Sequence, residues 1–110
     1  MLEKKLSVAA GHNITVTATA TSLLDLMDTA ASAALGLPGD LDSFEIVTED
    51  GDIRLCGDDN TPTGTVGTYI PVGSVRLFEG NAISRVKLIR DTGMSSDVAV
   101  SVRVGYREQN

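Results

Sequence analysis

Acidic side chains are concentrated in one short stretch of this 110-residue chain. Five of them lie within eleven positions, namely Glu49, Asp50, Asp52, Asp58 and Asp59. Ca²⁺ prefers clustered oxygen ligands on turns, so the stretch has the right chemistry for that cation. However, the spacing is not that of an EF-hand loop, and Asp50 followed by Gly51 is sufficiently explained as a tight turn. We therefore assign no metal ligand and no cofactor, and keep Ca²⁺ binding at this cluster as the alternative.

Nucleophilic catalysis requires a base beside the nucleophile. The chain has one cysteine, Cys56, and one histidine, His12, which we expect in a strand and in a turn. The two exclude an internal disulfide and a zinc site, and no phosphate-binding loop is present. With two Tyr, two Phe and no Trp, the chain has few rings on which a sugar could stack. We expect a protein that is not an enzyme.

Two groups of residues are candidates for contact with another molecule. The segment 57–67 is rich in glycine, proline and short polar residues, and loops of this length tend to move or to make contacts. Its candidate contact residues are Asp58, Asp59, Asn60, Thr61, Pro62 and Thr63. The other group is a candidate basic face, expected on one outward sheet surface and suited to acidic neighbours, formed by Arg76, Arg85, Lys87, Arg103 and Arg107.

The net charge of −6 argues against a nucleic-acid partner. Residues 1–60 hold 11 acidic and 3 basic side chains, a net charge of −8, whereas residues 61–110 hold 4 and 6, a net charge of +2. The halves are therefore expected to attract each other, within one chain or between neighbours. No apolar run is long enough for a membrane helix, and the lysines near the start precede no signal-peptide core.

The elements that must position these residues are mostly strands. Between Asp97 and Arg107, valines at 98, 100, 102 and 104 alternate with small or polar residues. A strand points successive side chains to opposite faces, so this run predicts a strand with one buried β-branched face. Earlier strands are predicted at 2–9 and 14–20, separated by a turn at 11–13. Between them and the middle of the chain, helical spacing of apolar residues predicts an α-helix at 22–35, capped by Ser22.

A hairpin is predicted where strands 44–49 and 52–56 flank Asp50 and Gly51, the preferred pair for a two-residue turn. This register places four inward side chains in two facing pairs, Ile46 with Leu55 and Thr48 with Ile53. Further strands are predicted at 68–70, 74–78 and 83–90, and their inward residues are Val75, Leu77, Val86 and Leu88. Short strands at this spacing predict a single domain over 1–110, mainly β, folded as an antiparallel β-sandwich (jelly-roll-like or Greek-key) with one short helix.

The second half contains an ordered series of features: the segment from Ile53 to Asp58, the Thr61–Thr63 loop around Pro62, Val66 followed by Gly67, the turn at 70–73, the segment 77–80, and the strands 83–90 and 97–106. This series resembles small virion proteins of tailed bacteriophages, of the capsid decoration or cement type. The resemblance covers about half of the chain and leaves out the helix.

The resemblance to cement proteins implies a non-enzymatic structural protein with no catalytic residue. It implies a homo-oligomer, either trimer or dimer, that binds the major capsid protein and bridges its subunits. The location implied is the virion, after synthesis in the host cytoplasm. Two alternatives stay open: another virion component, such as a tail or connector protein, and a ligand- or carbohydrate-binding β-sandwich module.

Overall fold

The structure, a computed structural model, describes residues 6–31, 41–57, 60–79 and 83–107. In chain order the elements are β1 (Leu6–Val16), β2 (Thr21–Ser22), α1 (Leu23–Ala31), β3 (Ser43–Thr48), β4 (Ile53–Cys56), β5 (Thr68–Ile70), β6 (Val75–Glu79), a 3-10 turn (Ile83–Arg85), β7 (Lys87–Arg90) and β8 (Val98–Arg107). Within these ranges, no helix is long and apolar enough to cross a membrane.

The strands form two antiparallel sheets of four. Sheet A has the order β1-β8-β3-β6, and sheet B has the order β2-β7-β4-β5. From β5 onward the chain passes from sheet B to sheet A and back with each new strand. The antiparallel β-sandwich with one short helix is therefore confirmed, and its finer description as a jelly roll or Greek key stays a prediction.

The valine face of β8 lies at the centre of the core, as its period-2 pattern predicts. Val100 lies between Ile14 of β1 and Thr48 of β3, and Val102 lies opposite Ile46. All these side chains are buried. Burying a side chain of the Val, Leu or Ile type contributes about 1.5–3 kcal/mol relative to leaving it exposed, so this central strand contributes much of the stability.

The helix covers one side of the sandwich. α1 buries Leu23, Leu26 and Met27, and it contacts β1 and β2, the edge strands on that side. Ser22 caps it, because its Oγ accepts a hydrogen bond from the Asp25 N–H at 3.2 Å. The predicted part of this helix after Ala31 lies outside the described residues. On the opposite side, β5 and β6 are the edge strands, and no described strand extends either sheet beyond them.

The predicted turn at 11–13 is wrong. β1 runs without a break from Leu6 to Val16 and is paired with β8 throughout, apart from a register shift between Val8 and Ala10. The polar residues that suggested a turn lie on a strand because β8 is long enough to pair with all of it. Asn13 lies opposite Ser101, whose hydroxyl is 2.8 Å from the Asn13 side-chain oxygen.

The predicted strand 14–20 also ends early, at Val16. The threonines after it serve the turn instead of a sheet face. Thr17 Oγ1 accepts the N–H of Thr19 at 3.2 Å, and the Thr21 hydroxyl donates to the Thr19 carbonyl at 2.9 Å. Threonine side chains compete in this way with the ladder for main-chain groups, so the period-2 pattern overestimated the strand.

The predicted hairpin at Asp50 and Gly51 is wrong, since β3 belongs to sheet A and β4 to sheet B. The chain crosses from one sheet to the other at this point. Asp50 accepts the main-chain N–H of Ala99 on β8 at 2.7 Å, so its carboxylate fastens the corner to the central strand. Gly51 is buried there, and a Cβ on it would lie 2.9 Å from a Val98 methyl carbon.

Two later predictions also need correction. Val75 and Leu77 were expected to face inward, but they are 66% and 38% exposed. The reason is their register with β3: they lie beside Val47 and Glu45, which occupy the outer face of sheet A. The strand predicted at 83–90 begins as the 3-10 turn and becomes β7 only at Lys87, although Val86 and Leu88 are buried as expected.

Candidate functional site

The candidate contact loop folds back toward the outer face of sheet B. Pro62 is buried, whereas Asn60, Thr61 and Thr63 are exposed. The loop is attached at several points: Thr92 donates its N–H to the Gly64 carbonyl at 2.9 Å, and Arg54 Nη1 donates to the Gly67 carbonyl at 3.3 Å. Asp58 and Asp59 lie outside the described residues. The exposed threonines are thus held on a loop that is tied to the sheet.

The candidate basic face is not formed. Arg76 lies on β6 opposite the inward-facing Ile46, while Arg103 lies on β8 opposite the outward-facing Glu45, so the two point to opposite faces of sheet A. Arg85 is in the 3-10 turn, and Lys87 is in sheet B. Alternation places residues correctly on one strand, but it does not relate strands of different sheets. The side chain of Arg107 is not among those described.

Arg103 and Arg54 form ion pairs of different character. The Arg103 Nε donates to Glu45 Oε1 at 3.1 Å on the outer face of sheet A. On sheet B, Arg54 Nε donates to Asp91 Oδ1 at 2.8 Å, and both side chains are mostly buried, with 23% and 12% exposed. The second pair is the better screened from water, and it joins β4 to the segment after β7.

Asp91 holds this polar cluster together. Its Oδ2 accepts the N–H of Gly93 at 2.9 Å, and this hydrogen bond, followed by that from Arg54, lowers the pKa of the Asp91 carboxyl below its ordinary value. Asp91 also donates its main-chain N–H to the Asp52 carbonyl at 3.0 Å. A carboxylate held by two donors stays ionised, so it serves as an anchor for the chain around it.

Tyr69 completes the cluster at the edge of sheet B. Its hydroxyl donates to Asp52 Oδ2 at 2.8 Å, which raises the pKa of the phenol. The guanidinium of Arg54 lies 5.1 Å from the ring centroid. A phenol whose pKa is raised is a weaker candidate for a base or nucleophile, and its contacts instead fix the start of β4 to β5.

In the acidic cluster, the carboxylates of Asp50 and Asp52 accept hydrogen bonds from other groups of this chain. Asp50 accepts from Ala99, and Asp52 accepts from Tyr69 and from the Val72 N–H at 2.8 Å. Among the residues with described positions, no group of three or more His, Cys, Asp or Glu is placed to hold a metal ion. The alternative of Ca²⁺ binding, which also involved Asp58 and Asp59, stays untested.

Cys56 and His12 are placed in different sheets. Cys56 is at the end of β4 in sheet B, and His12 is on β1 in sheet A, opposite Val102. The structure therefore does not bring the thiol and the imidazole together as a nucleophile and its base.

The uncovered side of the sandwich carries the exposed apolar residues that the sequence pattern missed. Over the described part of the chain, five large hydrophobic side chains are exposed, and four of them lie between residues 69 and 77, namely Tyr69, Val72, Val75 and Leu77. We call these four the apolar edge. Thr48 holds the turn between β5 and β6 in place. The Thr48 hydroxyl donates to the Pro71 carbonyl at 2.6 Å and accepts the Ser74 N–H at 2.9 Å.

Comparisons with protein-family models, with curated proteins and with solved structures found no match. A proposal for the function therefore rests on the geometry of the chain. The chain has a sandwich whose elements are joined by polar contacts, an exposed polar loop on sheet B, and the apolar edge at β5 and β6.

Proposed function

We propose that this chain is a non-enzymatic structural protein of a bacteriophage particle. In this proposal it is a capsid decoration, or cement, protein that self-associates and bridges neighbouring subunits of the major capsid protein. It is made in the host cytoplasm and ends on the surface of the virion.

The observation that carries the proposal is the apolar edge. Val75 and Leu77 are 66% and 38% exposed on the outer face of β6, and Val72, just before this strand, is 52% exposed. Exposed apolar side chains that are grouped in one place mark surfaces for contact with other proteins. Edge strands add unpaired main-chain groups, which a partner can use. Both features suit a protein whose task is assembly.

The polar groups of sheet B support a structural role as well. Arg54, Asp91 and Tyr69 are each directed at another group of the chain, and together they tie β4, β5 and the segment after β7 to one another. A protein that reinforces a shell needs such a stiff body, because a flexible link between capsid subunits would transmit little force.

We assign the capsid contact to the loop on sheet B. Thr61 and Thr63 are exposed there, and the loop is attached through Gly67 to Arg54 of β4 and through Gly64 to Thr92, just after β7. This polar surface is separate from β6 in sheet A. A cement protein requires two separate surfaces of this kind, one for its own copies and one for the shell.

The proposal is tested with particles grown from a phage that lacks the gene, to which the purified chain is added back. The chain is expected to sediment with the particles, and gold-labelled antibody is expected to mark their heads. Thr61→Asp combined with Thr63→Asp should abolish this binding, whereas Thr15→Asp, on the exposed face of β1, should not.

Three outcomes would contradict the proposal. A chain that never sediments with particles is not a virion protein. Label on tails only would favour the tail or connector alternative. Strong binding to members of a glycan panel, without binding to particles, would favour a carbohydrate-binding module.

A further inference from the structure

We propose that two copies of the chain pair through β6, antiparallel to each other, around a two-fold axis at Leu77. The pairing joins two four-stranded sheets A into one sheet of eight strands. This inference rests on the proposed function and deepens it, since it names the surface and the partner used in self-association.

β6 has main-chain groups that point away from its own sheet. Among the described residues, β6 pairs only with β3. Thr48 donates its N–H to the Ser74 carbonyl at 3.0 Å, and this bond identifies which positions of the β3–β6 pair are hydrogen-bonded. In an antiparallel pair, hydrogen-bonded and non-hydrogen-bonded positions alternate. Arg76 and Phe78 therefore bond to β3, while Val75 and Leu77 direct their N–H and C=O groups outward.

The same two residues expose apolar side chains. Val75 and Leu77 are 66% and 38% exposed on the outer face of sheet A. Outward main-chain groups and exposed apolar side chains at the same positions are what a second strand needs to extend a sheet. The opposite edge of sheet A, at β1, is instead contacted by the helix.

The arrangement of outward groups on β6 favours a second copy as the occupant and an antiparallel arrangement of the strands. Val75, Leu77 and Glu79 alternate with Arg76 and Phe78, so the outward main-chain groups are arranged symmetrically about Leu77. An antiparallel second copy of β6 therefore matches these groups one to one. Parallel pairing would set Arg76 beside Arg76, and like charges in that position are destabilising.

In the joined sheet, the outer faces of the two sheets A must lie on the same side, and this requirement limits the register in which the two β6 strands pair. A two-fold axis through Leu77 sets Leu77 against Leu77, Arg76 against Phe78 and Val75 against Glu79 of the second copy. All five residues of β6 are then paired. An axis through Arg76 would instead set two guanidinium groups directly opposite each other, and like charges in that position are destabilising.

Cysteine cross-linking tests this register on the purified chain, with Cys56→Ala as the background. Leu77→Cys should form a covalent dimer on mild oxidation, since directly opposite residues in a hydrogen-bonded pair have Cα atoms about 5.5 Å apart, within the range of a disulfide. Val75→Cys is the matched control. Its two copies lie four positions apart along the paired strands, about 13 Å, and should not cross-link.

Light scattering gives an independent measurement without cysteines. The unmodified chain should have twice the mass of one chain at high micromolar concentration, and Leu77→Lys should reduce this to the mass of one. Lysine lowers the net negative charge, so a loss of dimer could not be attributed to stronger overall repulsion. Val66→Lys, which makes the same charge change at a 58% exposed residue of the loop, should leave the dimer intact.

The pairing is overturned by a monomer at every concentration, by equal cross-linking of the two cysteine variants, or by a dimer that survives Leu77→Lys. A trimeric mass overturns it too, because a two-fold contact closes after two copies. Particle binding is scored separately. A monomer that binds particles would contradict the pairing and leave the capsid binding of the proposed function intact, whereas a Leu77-linked dimer that binds no particles would contradict the capsid binding and leave the pairing intact.

Discussion

At the scale of single residues, the side chain of Asp91 has the most structural consequences. This side chain is 12% exposed, and it accepts hydrogen bonds from Arg54 and from the Gly93 N–H. Arg54 also holds the contact loop through Gly67. One carboxylate thus connects β4, the loop and the segment after β7.

Replacing Asp91 with Ala should destabilise the fold by about 1–3 kcal/mol, because the substitution leaves the Arg54 guanidinium without its charged partner. Urea unfolding measures the loss. Asp97→Ala is the control: Asp97 pairs with Arg90, but its side chain is 50% exposed, so the cost should be about 0.5 kcal/mol or less. Equal losses for the two variants would show that the Asp91 cluster has no special role.

The same residue should make stability depend on pH. The pKa of Asp91 is lowered from its ordinary value of 3.8, so its contribution is present above that value and is lost as the pH falls through the lower folded value. Asp91→Asn removes this titration. The stability advantage of the unmodified chain over Asp91→Asn should therefore shrink as the pH is lowered below about 5. A difference that stays constant or grows in acid would contradict this assignment.

Sequence reasoning missed the Arg54–Asp91 pair for a plain reason. The two residues are 37 positions apart and meet through the topology of sheet B. No local pattern links them, and the predicted hairpin paired the strand of Arg54 with the strand 44–49, whereas β4 pairs with β7. Pairs that depend on which strands become neighbours are not accessible to periodicity or turn propensity.

At the scale of elements, alternation located the inward residues of β3 and β4, but it did not predict which strands pair. Ile46, Thr48, Ile53 and Leu55 are all buried, as the predicted inward pattern required, yet they belong to two sheets. The turn residues Asp50 and Gly51 have a strong local preference, but β8 gains more by pairing with β3 on one side and β1 on the other. For β6 the same alternation does not decide which of its two faces is covered, and the prediction that Val75 and Leu77 face inward was wrong.

The corner at Gly51 gives a test at this scale. Gly51→Ala should lower stability by about 1–3 kcal/mol, since its Cβ would approach a Met94 methyl to 2.7 Å and a buried Val98 methyl to 2.9 Å. Thermal and urea unfolding measure the effect. For Gly11→Ala the nearest atom is 3.3 Å away on the flexible Arg103 side chain, and the change should be within about 0.5 kcal/mol. No difference between the variants would contradict the crossing at this corner.

At the scale of the whole molecule, the two sides of the sandwich are unequal. The helix covers the side of β1 and β2, while the side of β5 and β6 leaves apolar residues in water. The spacing of the short strands predicted a single sandwich, and the uneven charge predicted attraction between the two halves of the chain. The Arg103–Glu45 pair is one contact between the basic half and the acidic half. The identity of the exposed side depended on strand order, which no local pattern contains.

The most direct measurement of the central claim is an image reconstruction of purified particles. We expect density of the size and shape of this sandwich on the outer surface of the head, where each copy touches more than one capsid subunit through the loop on sheet B. A head surface without such density, or the same density only in the tail, would contradict the assignment as a capsid decoration protein.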